Sequence, residues 1–345
     1  MKRNLAVTAF LLTAVLGLFF LTRPGLERFR KSTEIMSTLV TITVVSDDSR
    51  KAEAAIDSAF NAIRELELAL SFWTDDSEIA KVNSGAAIAP VRVSEETFEL
   101  ARIALSISKS TSGAFDPTVG PLMRLWDFRD ASIPSMESLS SASESVGYQK
   151  IKLDSSSSSI FLTEPGMSFD TGGIAKGYAV DRALEDLRKN GIRSALVAIA
   201  GDMRAFGARE DGEPWMVGIK DPRGNSEDDI VATLELRDEA VSTSGDYERF
   251  FMKDGRRYHH LINPATGYPA EGTMSFTVLA PRAVLTDGYA TGAFVLGPEK
   301  GIEALREQGL EGIAISTDGK VHVSPGLKSR IEWTSDKYKL VNQAG

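Results

Sequence analysis

The run Asp170-Thr171-Gly172-Gly173-Ile174-Ala175-Lys176-Gly177-Tyr178-Ala179-Val180-Asp181 opens with a carboxylate, passes through paired glycines and becomes a helix. Met167-Ser168-Phe169 before it reads as a strand end. After it, Val180, Leu184 and Leu187 recur at helical spacing until Asn190-Gly191 stops the helix. A glycine turn at a helix start presents free N–H groups and a positive dipole end to an anion. The glycines also let the main chain approach a bulky ligand such as a pyrophosphate, although the same pair serves plain packing in many turns. Asp287 and Thr291 stand four apart at a second expected helix start, so a carboxylate and a hydroxyl share one face. Such hard oxygens suit Mg²⁺, which leans on substrate phosphates; an Asp N-cap above a buried Thr is the alternative. His260, in His259-His260-Leu261-Ile262-Asn263-Pro264, is either a structural histidine or a base.

Composition narrows the chemistry. There is no cysteine, so disulfides, thiolate metal sites and a cysteine nucleophile are excluded. The three histidines include the adjacent pair His259 and His260, which makes a three-His zinc site improbable. Residues 1–31 hold six basic side chains and one acidic, so the net charge of −9 conceals −14 on the remainder. An acidic body repels nucleic acid, and an acidic protein that handles a phosphate needs a cation or a local dipole to offset the repulsion. Ser106-Ile107-Ser108-Lys109 matches a Ser-x-x-Lys nucleophile pattern, but its companion motifs are absent and it reads as chance.

These groups need elements to hold them. With 345 residues and 42% hydrophobic content the chain can bury a substantial core. Asn4 to Leu21 is almost wholly apolar, just long enough to cross a bilayer. Because Phe19-Phe20-Leu21 closes it where a cleavage site wants small residues, an uncleaved anchor is expected over a cleaved signal. Residues 1–34 are therefore expected to be a membrane segment and linker, and 35–345 the working domain, on the extracytoplasmic side of the inner membrane. Met36 to Val45 reads as a strand, and Ile56, Phe60, Ile63 and Leu70 as one face of a helix. A short helix capped by Asp76 or Ser77 follows Trp73, which could be a flat face for a ring system or a core edge. Thr111 to Met123 is a rigid, turn-rich loop able to line a pocket, and the serine-biased stretch 132–145 reads as a surface connection. Beyond residue 190 strands cluster instead of alternating with helices. That favours an α+β fold with largely antiparallel or mixed sheets and flanking helices.

Taken in order, the stretches resemble the FAD:protein FMN transferase (ApbE-type flavin transferase) family from Met36 to about Gly297. The motifs are Ser77-Glu78-Ile79 with Asn83, Gly113-Ala114-Phe115-Asp116-Pro117-Thr118-Val119-Gly120-Pro121-Leu122, Asp170 to Gly177, Thr243-Ser244-Gly245-Asp246-Tyr247, His260 to Pro264 with Thr266-Gly267, and Asp287 with Ala290-Thr291. The resemblance implies that Met36, Trp73, Ala114, Phe115, Asp116, Asp170, Lys176 and Leu261 hold FAD. It implies that Gly173, through its carbonyl, Asp287 and Thr291 hold Mg²⁺, and that His260, titrating near neutral pH, activates an acceptor threonine. The partner would be an acceptor protein, expected in a membrane redox complex. Where the family usually shows Asp-Pro and Gly-Gly-Asp, this chain has Asn263-Pro264 and Ala200-Gly201-Asp202. An FAD pyrophosphatase, a flavin-binding module without turnover and a solute-binding domain are the competing readings.

Overall fold

Period-two patterns and β-branched runs pair over most of the chain length, and the helices cover one side of the result. The structure, a computed structural model, describes residues 25–341 apart from 73 and 227. The chain opens with strands β1 (Glu27–Ile35) and β2 (Thr38–Ser46), then helices α1 (Ser49–Leu70) and α2 (Glu78–Ser84), strand β3 (Val91–Arg92) and helices α3 (Glu95–Ser110), α4 (Gly120–Met123) and α5 (Met136–Ser143). Strands β4 (Ile151–Asp154) and β5 (Ser159–Leu162) lead to helix α6 (Ala175–Lys189). Strands β6 (Ser194–Ile199), β7 (Asp202–Phe206), β8 (Trp215–Lys220), β9 (Ile230–Leu236), β10 (Ala240–Gly245), β11 (Phe250–Lys253), β12 (Arg256–His259) and β13 (Thr273–Ala280) follow. Helices α7 (Ala283–Leu296) and α8 (Pro298–Glu307) precede β14 (Glu311–Ser316), β15 (Lys320–Val323), β16 (Ile331–Trp333) and β17 (Lys339–Leu340).

Nine strands form one sheet in the order β1-β2-β6-β7-β10-β13-β14-β15-β17, antiparallel throughout except for β15 against β17. On one face Ile42, Val44, Phe276 and Val278 pack against the inner residues of α1, α6 and α7, such as Ile56, Ile63, Val180 and Phe294. On the other, Val45, Val241, Leu279 and Ile315 meet Trp215, Val217, Leu234 and Leu236 of the small sheet β16-β9-β8. The sheet is therefore a middle layer, and every residue of its interior strand β13 is buried. A third cluster joins Leu122, Trp126 and Leu139 to Phe251 and Ile262 beneath the β11–β12 hairpin. The expected α+β class with a largely antiparallel sheet matches this architecture.

Several local expectations are corrected. Met36 lies outside the strand: it shares a hairpin turn with Ser37, both at φ 56, and β2 begins at Thr38. Ahead of that turn, β1 pairs with β2 from Glu27↔Ser46 to Ile35↔Thr38, so the sheet begins upstream of residue 35, where the domain was expected to start. Its exposure alternates along the strand, and its basic residues, read as flanks of the apolar segment, hid it. Met167 to Phe169 is irregular, and the N–H and C=O of Phe169 are held by the Asn83 side chain instead of a ladder. The stretch 132–145 contains α5, capped by Ser135, whose hydroxyl accepts from the Ser138 N–H. The expected anchor lies outside the described residues. Among the described residues, no helix is long and apolar enough to cross a membrane.

Helix α7 has no cap of its own, since Arg282 at that position offers no side-chain acceptor. The cap comes from α6: Asp181, fully buried, accepts from the N–H groups of Ala283 at 2.8 Å and Val284 at 3.1 Å. Arg204 donates to the same carboxylate at 2.7 Å. Removing the carboxylate would orphan two helix N–H groups and a largely buried guanidinium. Asp181→Ala is expected to cost about 3 kcal/mol in urea unfolding, and Asp181→Asn, which keeps an acceptor, less than half of that. Equal losses would show that the charge, and not the cap, carries the effect.

Candidate active site

The glycine turn ahead of α6 is pinned from three sides. The Asn83 side chain of α2 accepts from the Phe169 N–H at 2.6 Å and donates to the Phe169 carbonyl at 3.2 Å. Asp170 N–H donates to the Pro117 carbonyl at 2.6 Å, and the Thr171 hydroxyl to the Leu70 carbonyl at 2.8 Å. Thus the helix-capping motif Ser77-Glu78 serves the turn: Ser77 caps α2 and Glu78 accepts from Ser94, which fixes the helix that carries Asn83. Asp170 in turn accepts from the Gly172 N–H at 2.7 Å. Burial pushes its carboxyl up, opposed by that N–H and by the charges of Arg124 and Arg249.

Helix α6 then meets α7 at backbone distance. A Cβ on Gly177 would lie 2.2 Å from the Ala283 carbonyl oxygen, so only glycine permits the approach. It lets the Gly177 N–H donate to Asp287 Oδ2 at 2.9 Å. Asp287 therefore sits in the second turn of α7, where it caps α6 and not its own helix. Thr291, one turn on, lies beside Gly173: a Cβ there would be 3.3 Å from Thr291 Oγ1 and 3.3 Å from the Phe115 ring. Ser244 at the end of β10 reaches Thr291 Oγ1 at 3.4 Å. Lys176 projects from the first turn of α6 into an ion pair with Asp202 of β7. Burial would lower its proton affinity, but Asp202 and Asp287 together raise it, so it stays charged. Burial, then Asp202, push Asp287 up to about 7, against Lys176 and the Gly177 N–H.

His260 follows β12. Its N–H donates to the Arg249 carbonyl, and its Nδ1 is sealed without a hydrogen-bond partner. Desolvation first, then the charge of Arg249, push it down to about 3, with Lys176 acting the same way. The expectation that it titrates near neutrality is corrected: here it is the neutral imidazole throughout the physiological range. His259 is the structural member of the pair, with Nε2 2.9 Å from the Ala270 carbonyl and Nδ1 accepting from the Leu261 N–H at 3.3 Å.

Asp170, Gly173, Lys176, His260, Asp287 and Thr291 therefore share one region, linked by Lys176 on one side and Arg249 on the other. Leu261 is buried beside them, and Ala114 is half-buried on the loop whose Phe115 reaches Gly173. Met36 is half-buried, and its N–H donates to Glu67 at 2.7 Å, which helps hold a left-handed conformation that a methionine rarely adopts. Asp116 lies on the same loop. Its carboxylate accepts from Thr118 at 2.8 and 2.6 Å and from the Tyr148 N–H at 2.9 Å, so the side chain ties the loop together and faces the interior. Trp73 lies outside the described residues. Asn263 still closes its turn, accepting from the Ala265 N–H at 2.9 Å, whereas Ala200 takes a left-handed φ of 49 suited to the family's glycine. Asp202 and Arg249 were missed as site residues. A lone arginine just after Asp246-Tyr247-Glu248, in an acidic body, was the available signal.

Among the described residues no three His, Asp or Glu side chains cluster as a metal site. The site instead brings the Asp287 carboxylate and the Thr291 hydroxyl, one turn apart on α7, into the region of Gly173. Both are hard oxygen donors, and the buried Asp287 beside Asp202 gains from added positive charge, so the residues present are of the type that suits Mg²⁺.

A sequence profile of the ApbE family matches residues 36–314, and the chain belongs to that family. It is 33% identical over 336 residues to a protein of Treponema pallidum named FAD:protein FMN transferase, with 92% of each chain covered. It is 34% identical over 270 residues to the Escherichia coli K12 protein of the same name, covering 75% of this chain and 77% of that one. Among solved structures, the ApbE protein of Thermotoga maritima superposes with a TM-score of 0.81 at 33% identity, covering 88% of this chain and 99% of its own. Pseudomonas stutzeri flavinyl transferase ApbE, in its apo form, gives 0.79 at 30% identity, with 89% and 97% covered.

The His260 environment sets a pH signature. Its folded-state proton affinity lies below the ordinary value of 6.5, so the unfolded chain binds a proton that the folded chain does not. Stability is whole above about pH 6.5 and falls as pH drops toward the folded value. Between about pH 6.5 and about pH 5 the wild type is expected to lose up to ~2 kcal/mol that His260→Gln retains, read from urea midpoints. Superimposable pH curves would mean that the imidazole is solvated.

Proposed function

We propose that this chain transfers the FMN moiety of FAD to the hydroxyl of a threonine, or serine, on an acceptor protein and releases AMP. The observation that supports this most is the convergence of Asp170, Lys176, Asp287, Thr291 and His260, drawn from distant parts of the chain, in a fold shared with proteins named for that activity. Lys176 and the turn at Gly172-Gly173 offer positive charge and main-chain groups to the FAD pyrophosphate. Gly173, Asp287 and Thr291 would hold Mg²⁺, which when bound supplies charge neutralisation at the pyrophosphate. Met36, Phe115 and Leu261 give apolar surface for the flavin and adenosine parts.

The neutral His260 is in the form that accepts a proton. The hydroxyl oxygen attacks the phosphorus on the FMN side, its proton passes to the imidazole, and the bond to the AMP phosphate breaks. Desolvation first, and the charge of Arg249 after it, keep the free ring a weak base, and a pyrophosphate placed near His260 and Arg249 would offset the second of these. The ring thus gains basicity when substrate arrives. Residues 4–21, read as an anchor, would hold the domain on the extracytoplasmic face, which favours a subunit of a membrane redox complex as acceptor.

Incubation with FAD, Mg²⁺ and a threonine-bearing acceptor domain is expected to give an FMN-sized mass adduct with AMP in equal amount. Asp287→Ala should abolish the Mg²⁺ dependence, with a loss of several kcal/mol of transition-state stabilisation. His260→Ala should lower the transfer rate by about 10² to 10⁴-fold while FAD still binds. Free FMN formed equally fast with and without acceptor would replace transfer by hydrolysis.

A further inference from the structure

Two exposed arginines border the site with their N–H edges uncommitted. The Arg124 guanidinium lies over the Phe72 ring, 4.9 Å from its centre, and that of Arg249 over the Phe128 ring at 5.3 Å. An aromatic face takes the flat side of a guanidinium and leaves its fork of N–H donors at the edge. Among the described residues neither arginine pairs with a carboxylate, and no side-chain N–H of either donates a hydrogen bond.

Local structure ties both groups to the glycine turn. The Arg124 N–H donates to the Gly120 carbonyl at 3.1 Å, a Cβ on Gly120 would meet the Phe72 ring at 3.3 Å, and Pro117 of the same loop holds the Asp170 N–H. Thr171 bonds the Leu70 carbonyl, two residues before Phe72. On the other arginine, Phe128 stacks on Trp126, whose indole N–H donates to the Gly267 carbonyl at 2.9 Å. The Arg249 carbonyl accepts from the His260 N–H at 3.1 Å, so its guanidinium is carried by the residue that holds the histidine. Asp170 feels the charge of both arginines, yet neither comes to ion-pair distance from it. Lys176, the third cation here, is already engaged by Asp202, with Asp287 and Glu248 acting on it as well. Its charge is largely answered within the protein, and that of the arginines is not. Planar N–H forks match phosphate oxygens, and a pyrophosphate offers such oxygens on both of its phosphorus atoms.

We propose that Arg124 and Arg249 form a clamp on the pyrophosphate of FAD, each giving its N–H fork to phosphate oxygens while an aromatic ring fixes the guanidinium plane. The assignment deepens the FMN-transfer reading and rests on it. Quenching of flavin fluorescence reads FAD affinity of the full chain in EDTA, where no metal contributes. Arg124→Gln and Arg249→Gln should each weaken FAD binding at least ~10-fold and flatten its salt dependence. Arg124→Lys and Arg249→Lys, which keep the charge without the fork, should keep the salt dependence and recover only part of the affinity. A residue that merely steadied its ring would lower affinity without touching the salt dependence. That result overturns the proposal, as does unchanged affinity in either Gln variant. Should a Gln variant melt early, the Lys variant of the same residue decides, and full wild-type affinity there overturns the fork. Mass spectrometry of an acceptor domain incubated with Mg²⁺ and saturating FAD judges the reaction separately. The expected affinity losses with no FMN adduct from the wild type would keep the clamp and sink the transfer reading. A wild-type adduct with FAD affinity unmoved in both Gln variants would do the reverse.

Discussion

The single contact on which the site depends is the approach of α6 to α7 at Gly177. Because residue 177 has no side chain, two helices that belong to different parts of the sequence come close enough for a backbone N–H of one to be held by Asp287 of the other. The exchange is mutual, since Asp181 of α6 caps α7 in the same interface. Each helix thus supplies the acceptor that the other's terminus lacks, and the pair packs as a unit on the central sheet. Asp287 and Thr291 reach the turn at Gly173 through that unit.

Charge is the second constraint. Asp287 and Asp202 are buried near each other, an arrangement that raises the proton affinity of Asp287, and Lys176 stands between them as the compensating cation. Arg249 plays the corresponding part on the other wall, restraining Asp170 and discouraging protonation of His260. The free site is therefore held in a tension of opposite fields that an incoming pyrophosphate and cation would relax. Perturbed titration of this kind is what a site that handles charge is expected to carry.

Much of this was legible beforehand, and the misses have physical causes. Helices α1, α3, α6 and α7 announce themselves by apolar period, and the strands β6, β8, β9 and β13 by β-branched runs. Strand β1 was hidden because its charged, alternating residues belong to a sheet edge, where exposure suppresses the apolar signal. The glycine turn was found, but its support was not: Asn83 acts through a two-way amide contact with residue 169, and no pattern rule links positions so far apart. Asp116 shows the converse limit. A motif singled it out, but that its side chain serves the loop's own hydrogen bonds could not be read from the motif. The His260 pKa could not be read either, because desolvation and the field of Arg249 exist only after folding.

The geometry of β1 has a mechanical consequence. Its first residue, Glu27, pairs with Ser46 at the open end of the hairpin, and its last, Ile35, lies beside the turn that holds Met36. Traction on the chain ahead of Glu27 would therefore peel the ladder one rung at a time, and would not load all rungs in shear. The turn at Met36, tied to α1 through Glu67, would feel that pull only after the ladder had opened along its length. The hairpin would thus act as a strain relief between the site and any pull on the chain ahead of it.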